Sequence, residues 1–161
     1  MSDAAYRIVP RVVATALFME TMDATIIATA LPTIARDLHI DPIALKVAIT
    51  SYLVGFAILV PVSGWIADRY GARSTFRAAL AIFMVASAGC ALASTLLGFV
   101  GWRFVQGLGG AMMTPVGRLV IVRGVPKEKL VTALSMLTIP SLVGPVIGPP
   151  LGGFITTYFS W

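Results

Sequence analysis

The chain has 161 residues, of which 58% are hydrophobic and only 12% charged, with a mean hydropathy of +0.91, whereas a soluble domain carries roughly 25% charged residues. Twelve bases against seven acids give a net charge of +5, and charges so few and so clustered cannot coat a water-soluble core. Cys90 and His39 are the only cysteine and histidine, which excludes an intrachain disulfide and argues against a soft-ligand metal site.

Five apolar segments bounded by charge are long enough to cross hydrocarbon, which takes about 20 helical residues: 12–33, 44–67, 76–96, 97–122 and 130–158. The chain therefore reads as an all-α integral membrane protein. The first segment contains Glu20 and Asp23 and runs on to Leu31 without a small-residue cleavage site, so it is a retained span and not a signal peptide. Asp23 lies ~17 Å beyond Val12 at 1.5 Å per residue, near the middle of a bilayer. A carboxylate is costly to keep ionised at that depth, a property useful to a proton carrier; the alternative is a hydrogen bond to a neighbouring helix. Glu20 shares nearly the same face, and two carboxyls so close favour one shared proton.

The second span runs into Gly64-Trp65-Ile66-Ala67-Asp68-Arg69-Tyr70-Gly71-Ala72-Arg73, with Asp68 at the interface and Gly64 and Gly71 allowing close contact and a tight turn. The third and fourth spans meet in a very short turn near Ser94 and Thr95. Early on the fourth comes Arg103-Phe104-Val105-Gln106-Gly107. Arg103 lies roughly 9 Å from the nearer membrane face, a depth comparable with that of Asp23, so the two can meet; snorkelling to the interface is the other reading. Gln106 shares the face of Arg103, as a packing hydrogen bond or a substrate contact, and Gly107, Gly109, Gly110 and Ala111 offer a small surface for helix approach. The fifth span contains Gly144-Pro145-Val146-Ile147-Gly148-Pro149-Pro150-Leu151-Gly152-Gly153, which would break a soluble helix but is tolerated in a bilayer. Gly144, Gly148 and Gly152 form one stripe, with Pro145 and Pro149 on the adjacent one.

Nine of the twelve bases (Arg7, Arg11, Arg69, Arg73, Arg77, Arg118, Arg123, Lys127 and Lys129) fall on one side of these spans, Arg36 and Lys46 on the other, and Arg103 within. The positive-inside rule then puts the N-terminus in the cytoplasm and makes the basic loops anchors to anionic lipid, not a nucleic-acid surface.

Four patterns in this order, Met22-Asp23-Ala24-Thr25-Ile26-Ile27 with Ala30-Leu31-Pro32, the Gly64 to Arg73 link, the Arg103 to Gly107 segment and the Gly144 to Gly153 run, resemble the major facilitator superfamily, in its fourteen-span drug:proton antiporter branch. Two departures are visible. Ala72 and Ser74 leave Arg73 as the one base after Gly71, and Ser135 stands where the span-five pattern often has a further glycine.

The resemblance implies a partial N-terminal bundle of a major facilitator fold in the cell inner membrane. It implies no bound cofactor, the proton gradient serving as coupling ion, with Asp23, Arg103 and Glu20 as coupling residues. Spans one and four would line a cavity for drugs or other small organic molecules, with Thr25 and Gln106 as candidate cavity residues. Gly64, Asp68, Arg69, Gly71 and Arg73 would form a gate latching onto a second half of the transporter. Gly144, Pro145, Gly148, Pro149, Gly152 and Gly153 would pack against that same half and resist leak. A complete member alternates access between two related bundles, so a chain of about five spans ending at Trp161 is expected to be a truncated piece that does not transport alone, its missing C-terminal half being a partner. A standalone membrane protein acting as a parallel homo-oligomer or assembly partner is the alternative. No nucleophile with an adjacent base is evident, which argues against an enzyme.

Overall fold

The computed structural model describes residues 3–158, without the side chains of residues 3–7 and of Pro42; the side chain of Arg7 and Trp161 lie outside the described residues. Five α-helices follow one another: α1 Asp3–Asp37, α2 Pro42–Tyr70, α3 Ala72–Ala91, α4 Leu96–Gly124 and α5 Leu130–Tyr158, the last entered through a 3-10 turn at Lys127–Lys129. All five are long and apolar enough to cross a membrane, and the described residues contain no strand.

Local chemistry sets the ends. Asp41 accepts a hydrogen bond from the Ile43 amide at 2.7 Å, and Pro42 follows at the first helical position, where its missing N–H costs nothing. Gly71 adopts φ +85°, which a side chain would resist, and so turns α2 directly into α3. The sequence carries the third span to 96, but α3 stops at Ala91, because Thr95 caps α4 by accepting from the Gly98 amide at 3.2 Å. The connection is the segment 92–95.

Packing divides the bundle. The α4 helix runs between α2 and α3, while α1 packs chiefly on α5; contacts between these two groups are much sparser. Glycines let backbones touch on the α2/α4 side. A Cβ on Gly107 would collide with the Tyr52 carbonyl, and one on Gly55 with that of Phe104.

The glycines of α5 are used in the same way. Gly144, Gly148 and Gly152 are buried, and added Cβ atoms there would strike the Oγ1 atoms of Thr21, Thr25 and Thr29 in turn. The rising order on both helices shows α1 and α5 to be parallel. Each threonine hydroxyl donates back to its own helix, Thr21 to Leu17 O at 3.1 Å, Thr25 to Met22 O at 2.9 Å and Thr29 to Ile26 O at 2.8 Å, so the ridge that fills the glycine groove leaves no donor unmet. The stripe expected to pack against a second half thus meets α1 of the same chain at Gly144, Gly148 and Gly152. Pro145 and Pro149 are exposed beside it, and Gly153 has open space where a Cβ would go.

Two apolar clusters lie at different levels. One joins Val13, Leu17, Phe76, Met113, Val116 and Leu137, toward the end rich in arginine and lysine. The other joins Ala30, Ile34, Leu45, Ala48, Cys90 and Phe99, toward the opposite end. Large aliphatic side chains such as Leu53, Ile58, Ile139, Leu142 and Val146 face outward, as a lipid solvent allows.

Overpacking the α1/α5 seam has a predictable cost. Gly148→Ala is expected to destabilise the protein by about 1–3 kcal/mol, read as earlier unfolding in a titration of detergent-solubilised protein with sodium dodecyl sulfate. Thr25→Ala in the same chain removes the nearest obstructing atom and should recover part of the loss. An equal loss with and without Thr25→Ala would contradict this seating.

Candidate functional site

Between the two apolar clusters lies a polar layer. Arg103 on α4 is 2% exposed, and its Nη1 donates to Asp23 Oδ2 at 2.7 Å and to Gln106 Oε1 at 2.6 Å. Gln106 Nε2 donates to Asp23 Oδ1 at 2.9 Å, so both carboxylate oxygens are engaged and the three side chains close a ring. The Tyr52 ring lies 4.6 Å from the guanidinium carbon and adds a cation–π contact. Cys90 Sγ approaches Gln106 Oε1 at 3.8 Å. Snorkelling is thereby excluded for Arg103, since the guanidinium is directed into the bundle. Its Nε has no hydrogen-bond partner among the described residues.

The helical spacing of α4 produces this arrangement. Arg103 and Gln106 are one turn apart on one face, and α1 crosses that face antiparallel, Asp23 meeting Arg103 while Glu20 meets Thr114 farther along. Asp23, 21% exposed, borders a cavity of about 150 Å³ lined also by Arg103, Ser87, Cys90, Phe99 and Thr156. The cavity lies in the half of the bundle away from the basic end.

Glu20 is 7% exposed and accepts from Thr114 Oγ1 at 3.2 Å. Among the described residues no hydrogen bond joins Glu20 to Asp23; Glu20 is partnered by Thr114, and Asp23 by Arg103 and Gln106. Neither Thr25 nor Gln106 lines the cavity beside Asp23. Thr25 is part of the ridge under Gly148, and Gln106 is fully buried as part of the Asp23–Arg103 ring.

At the basic end, Asp68 forms an exposed ion pair with Arg123 at the end of α4, Oδ1 to Nη2 at 2.5 Å. The latch that the resemblance directs to a second half thus has a partner within this chain. Arg69 lies 6.0 Å from both the Trp65 and Tyr70 rings, and Arg73 is exposed. A Cβ on Gly64 would meet nothing within 4 Å, so the close contact expected there is not made within the described residues. Gly71 makes the tight turn.

Thr114, Tyr52 and Arg123 are the participants the sequence did not single out. The first had a signal: Gln106, Gly110, Thr114 and Arg118 recur every four residues along one face of α4. Arg123 had another, since α2 and α4 both end on the basic side. Tyr52 had none. Among the described residues no three His, Cys, Asp or Glu side chains come together as a metal ion requires.

Comparison with known proteins adds the family. The family model described as Major Facilitator Superfamily matches residues 13–161. Proteins named "Putative multidrug resistance protein MdtD" are similar over 150 residues, 93% of this chain: that of Yersinia enterocolitica at 44% identity over 32% of its own length, that of Serratia proteamaculans at 44% over 31%, and that of Klebsiella pneumoniae strain 342 at 45% over 32%. The chain spans about a third of the length of these curated relatives.

The central pair makes a stability prediction. Asp23→Leu leaves a buried guanidinium without its counter-charge and is expected to cost about 3–5 kcal/mol, whereas Asp23→Leu with Arg103→Met should be much less damaging. The unfolding midpoints of the three proteins in detergent test it; additive losses would contradict the pairing. For the exposed Asp68–Arg123 pair, Asp68→Asn should cost less than about 1 kcal/mol.

Proposed function

This chain belongs to the major facilitator superfamily, and from that premise we propose that it forms the N-terminal part of a proton-coupled exporter of drugs or other small organic molecules. The five apolar helices and the family together make it a multi-pass membrane protein. The asymmetry of its bases supports an inner-membrane orientation with the N-terminus in the cytoplasm.

The observation that carries the reading is the Asp23–Arg103–Gln106 ring at mid-helix depth. Intramembrane ionisable groups mark ion and proton pathways, and this carboxylate is both paired and reachable from a cavity. The proposed step is simple. A proton arriving on Asp23 neutralises the carboxylate and ends its ion pair; Arg103 keeps Gln106 Oε1 as an acceptor and has Nε in reserve. Because α1 and α4 belong to different packed groups, this exchange alters the seam between them. Protonation and helix position are thereby linked, as alternating access requires.

The Asp68–Arg123 pair supports a gating role for the basic end, joining the α2–α3 turn to the end of α4. The substrate class rests on the similarity to proteins named for multidrug resistance.

A transport assay tests the coupling. In vesicles containing a full-length protein with these residues, Asp23→Asn is expected to reduce proton-driven uphill efflux of ethidium by about tenfold or more, the effect of losing some 1.4 kcal/mol at the coupled step. Asp23→Glu should retain part of it. Undiminished uphill efflux by Asp23→Asn would overturn the proposal.

A further inference from the structure

The three arginines of α4 differ in their surroundings. Arg103 is paired with Asp23, and Arg123 with Asp68. Arg118 has neither an ion pair nor a hydrogen bond among the described residues. It stands six residues inside the end of the helix at Gly124, about 9 Å at 1.5 Å per residue. A guanidinium at that depth of a membrane span is costly unless something supplies a negative charge, and such groups mark substrate or ion pathways.

A cleft surrounds it. Arg118 lines a space of about 260 Å³ with Leu17 of α1 and Leu134, Leu137, Thr138 and Ser141 of α5. The space exists because α4 and α5 scarcely touch, whereas α5 packs closely on α1. Leu17 and Leu137 are buried and give the cleft an apolar floor. Along α5 the lining reaches Ser141, roughly 17 Å from the start of the helix at Leu130, so the cleft runs inward from the basic end. Its volume is close to the lower end for small-molecule pockets, roughly 300 Å³. It shares no lining residue with the cavity beside Asp23.

The polar groups specify an occupant. Thr138 Oγ1 donates to Leu134 O at 3.2 Å and Ser141 Oγ to Thr138 O at 2.9 Å, so both hydroxyls have committed their proton to α5 and offer lone pairs alone. Arg118 offers donors alone, in a fork that matches a carboxylate. No acid lines the cleft; Glu20, one turn from Leu17, accepts from Thr114 instead. A molecule that meets every group has a carboxylate for Arg118, an apolar body for the three leucines and an O–H or N–H for the two hydroxyls. An anionic lipid matches the guanidinium only, since its acyl chains are far longer than the single turn from Leu134 to Leu137, roughly 5 Å.

We propose that this cleft binds small amphipathic organic carboxylates carrying a hydrogen-bond donor, with Arg118 selecting for their charge. That such molecules are exported rests on the transport reading, to which the cleft adds a substrate class; the binding itself rests on the cleft.

Equilibrium dialysis of 6-hydroxy-2-naphthoate against the full chain in phosphatidylcholine nanodiscs tests it, with empty nanodiscs as background. Saturable binding is expected. Arg118→Gln should weaken it about tenfold or more, the effect of losing one charge-assisted contact. Arg118→Lys should keep part of it, and Lys127→Gln, which removes the same charge at the same end, should leave it unchanged. Absence of saturable binding, or equal binding by Arg118→Gln and the wild type, overturns the proposal. Should Arg118→Gln fail to fold, Thr138→Val combined with Ser141→Ala addresses the same cleft. That variant must hold 6-hydroxy-2-naphthoate more weakly while binding 2-naphthoate, which lacks the hydroxyl, as the wild type does; unchanged affinity for both overturns the proposal equally. Stoichiometric displacement of the naphthoate by phosphatidylglycerol added to the nanodiscs would assign the guanidinium to a lipid headgroup and overturn it too. Dialysis reads no transport, so its outcome is independent of ethidium efflux by Asp23→Asn and the two readings fail separately.

Discussion

Burying the Arg103 guanidinium among apolar helices constrains the rest of this structure most strongly. A cation at 2% exposure, away from water, must find a counter-charge, and Asp23 is the one the fold supplies. That requirement brings α1 to α4 at a fixed register although the two share few other contacts. The pair lies between an apolar cluster at the basic end and another at the opposite end, so it bridges the seam between two well-packed groups of helices. A charge change at this position acts where the bundle is least held together by packing.

The lipid environment accounts for the rest of the architecture. In water the outward Leu53, Ile58, Leu142 and Val146 would be a liability; in hydrocarbon they are solvent-compatible, and the drive to associate must come from close packing. Glycine supplies it on α4 against the α2 and α3 backbones and on α5 against the threonine ridge of α1. The threonines satisfy their own hydroxyls within α1, so the ridge carries no unmet polarity into the groove. Pro145, Pro149 and Pro150 of α5 are exposed, beside the glycine groove and not in it.

Much of this was legible in the sequence, and the omissions have physical causes. Composition and charge spacing indicate five membrane helices, and depth along spans one and four puts Asp23 and Arg103 at one level. Rotation about each helix axis was harder. The period showed that Gly144, Gly148 and Gly152 form a stripe, but a stripe does not name its partner; the matching threonines at 21, 25 and 29 recur at the same spacing and became meaningful only once α1 and α5 were seen to be parallel. Similarly, the sequence marks Asp68 as interfacial but does not separate Arg123 from the anchoring bases, because a long side chain at a helix end can reach water or an acid equally well. The early end of α3 reflects Thr95, whose capping hydroxyl outweighs the apolar character of the preceding residues.

The separation of Glu20 from Asp23 shows how a shared helical face can still carry two chemistries. One guanidinium can neutralise one carboxylate, and Gln106 reinforces that choice by binding Asp23 Oδ1 and Arg103 Nη1 together. A second ionised carboxylate one turn away would leave the layer with a net negative charge in a low-dielectric setting and would compete for the same cation. Thr114 gives Glu20 a neutral partner instead, directed away from the ring. The hydrogen bonds of both carboxyls run from α1 to α4, so the same few contacts that hold the seam also fix the two acidic side chains in place.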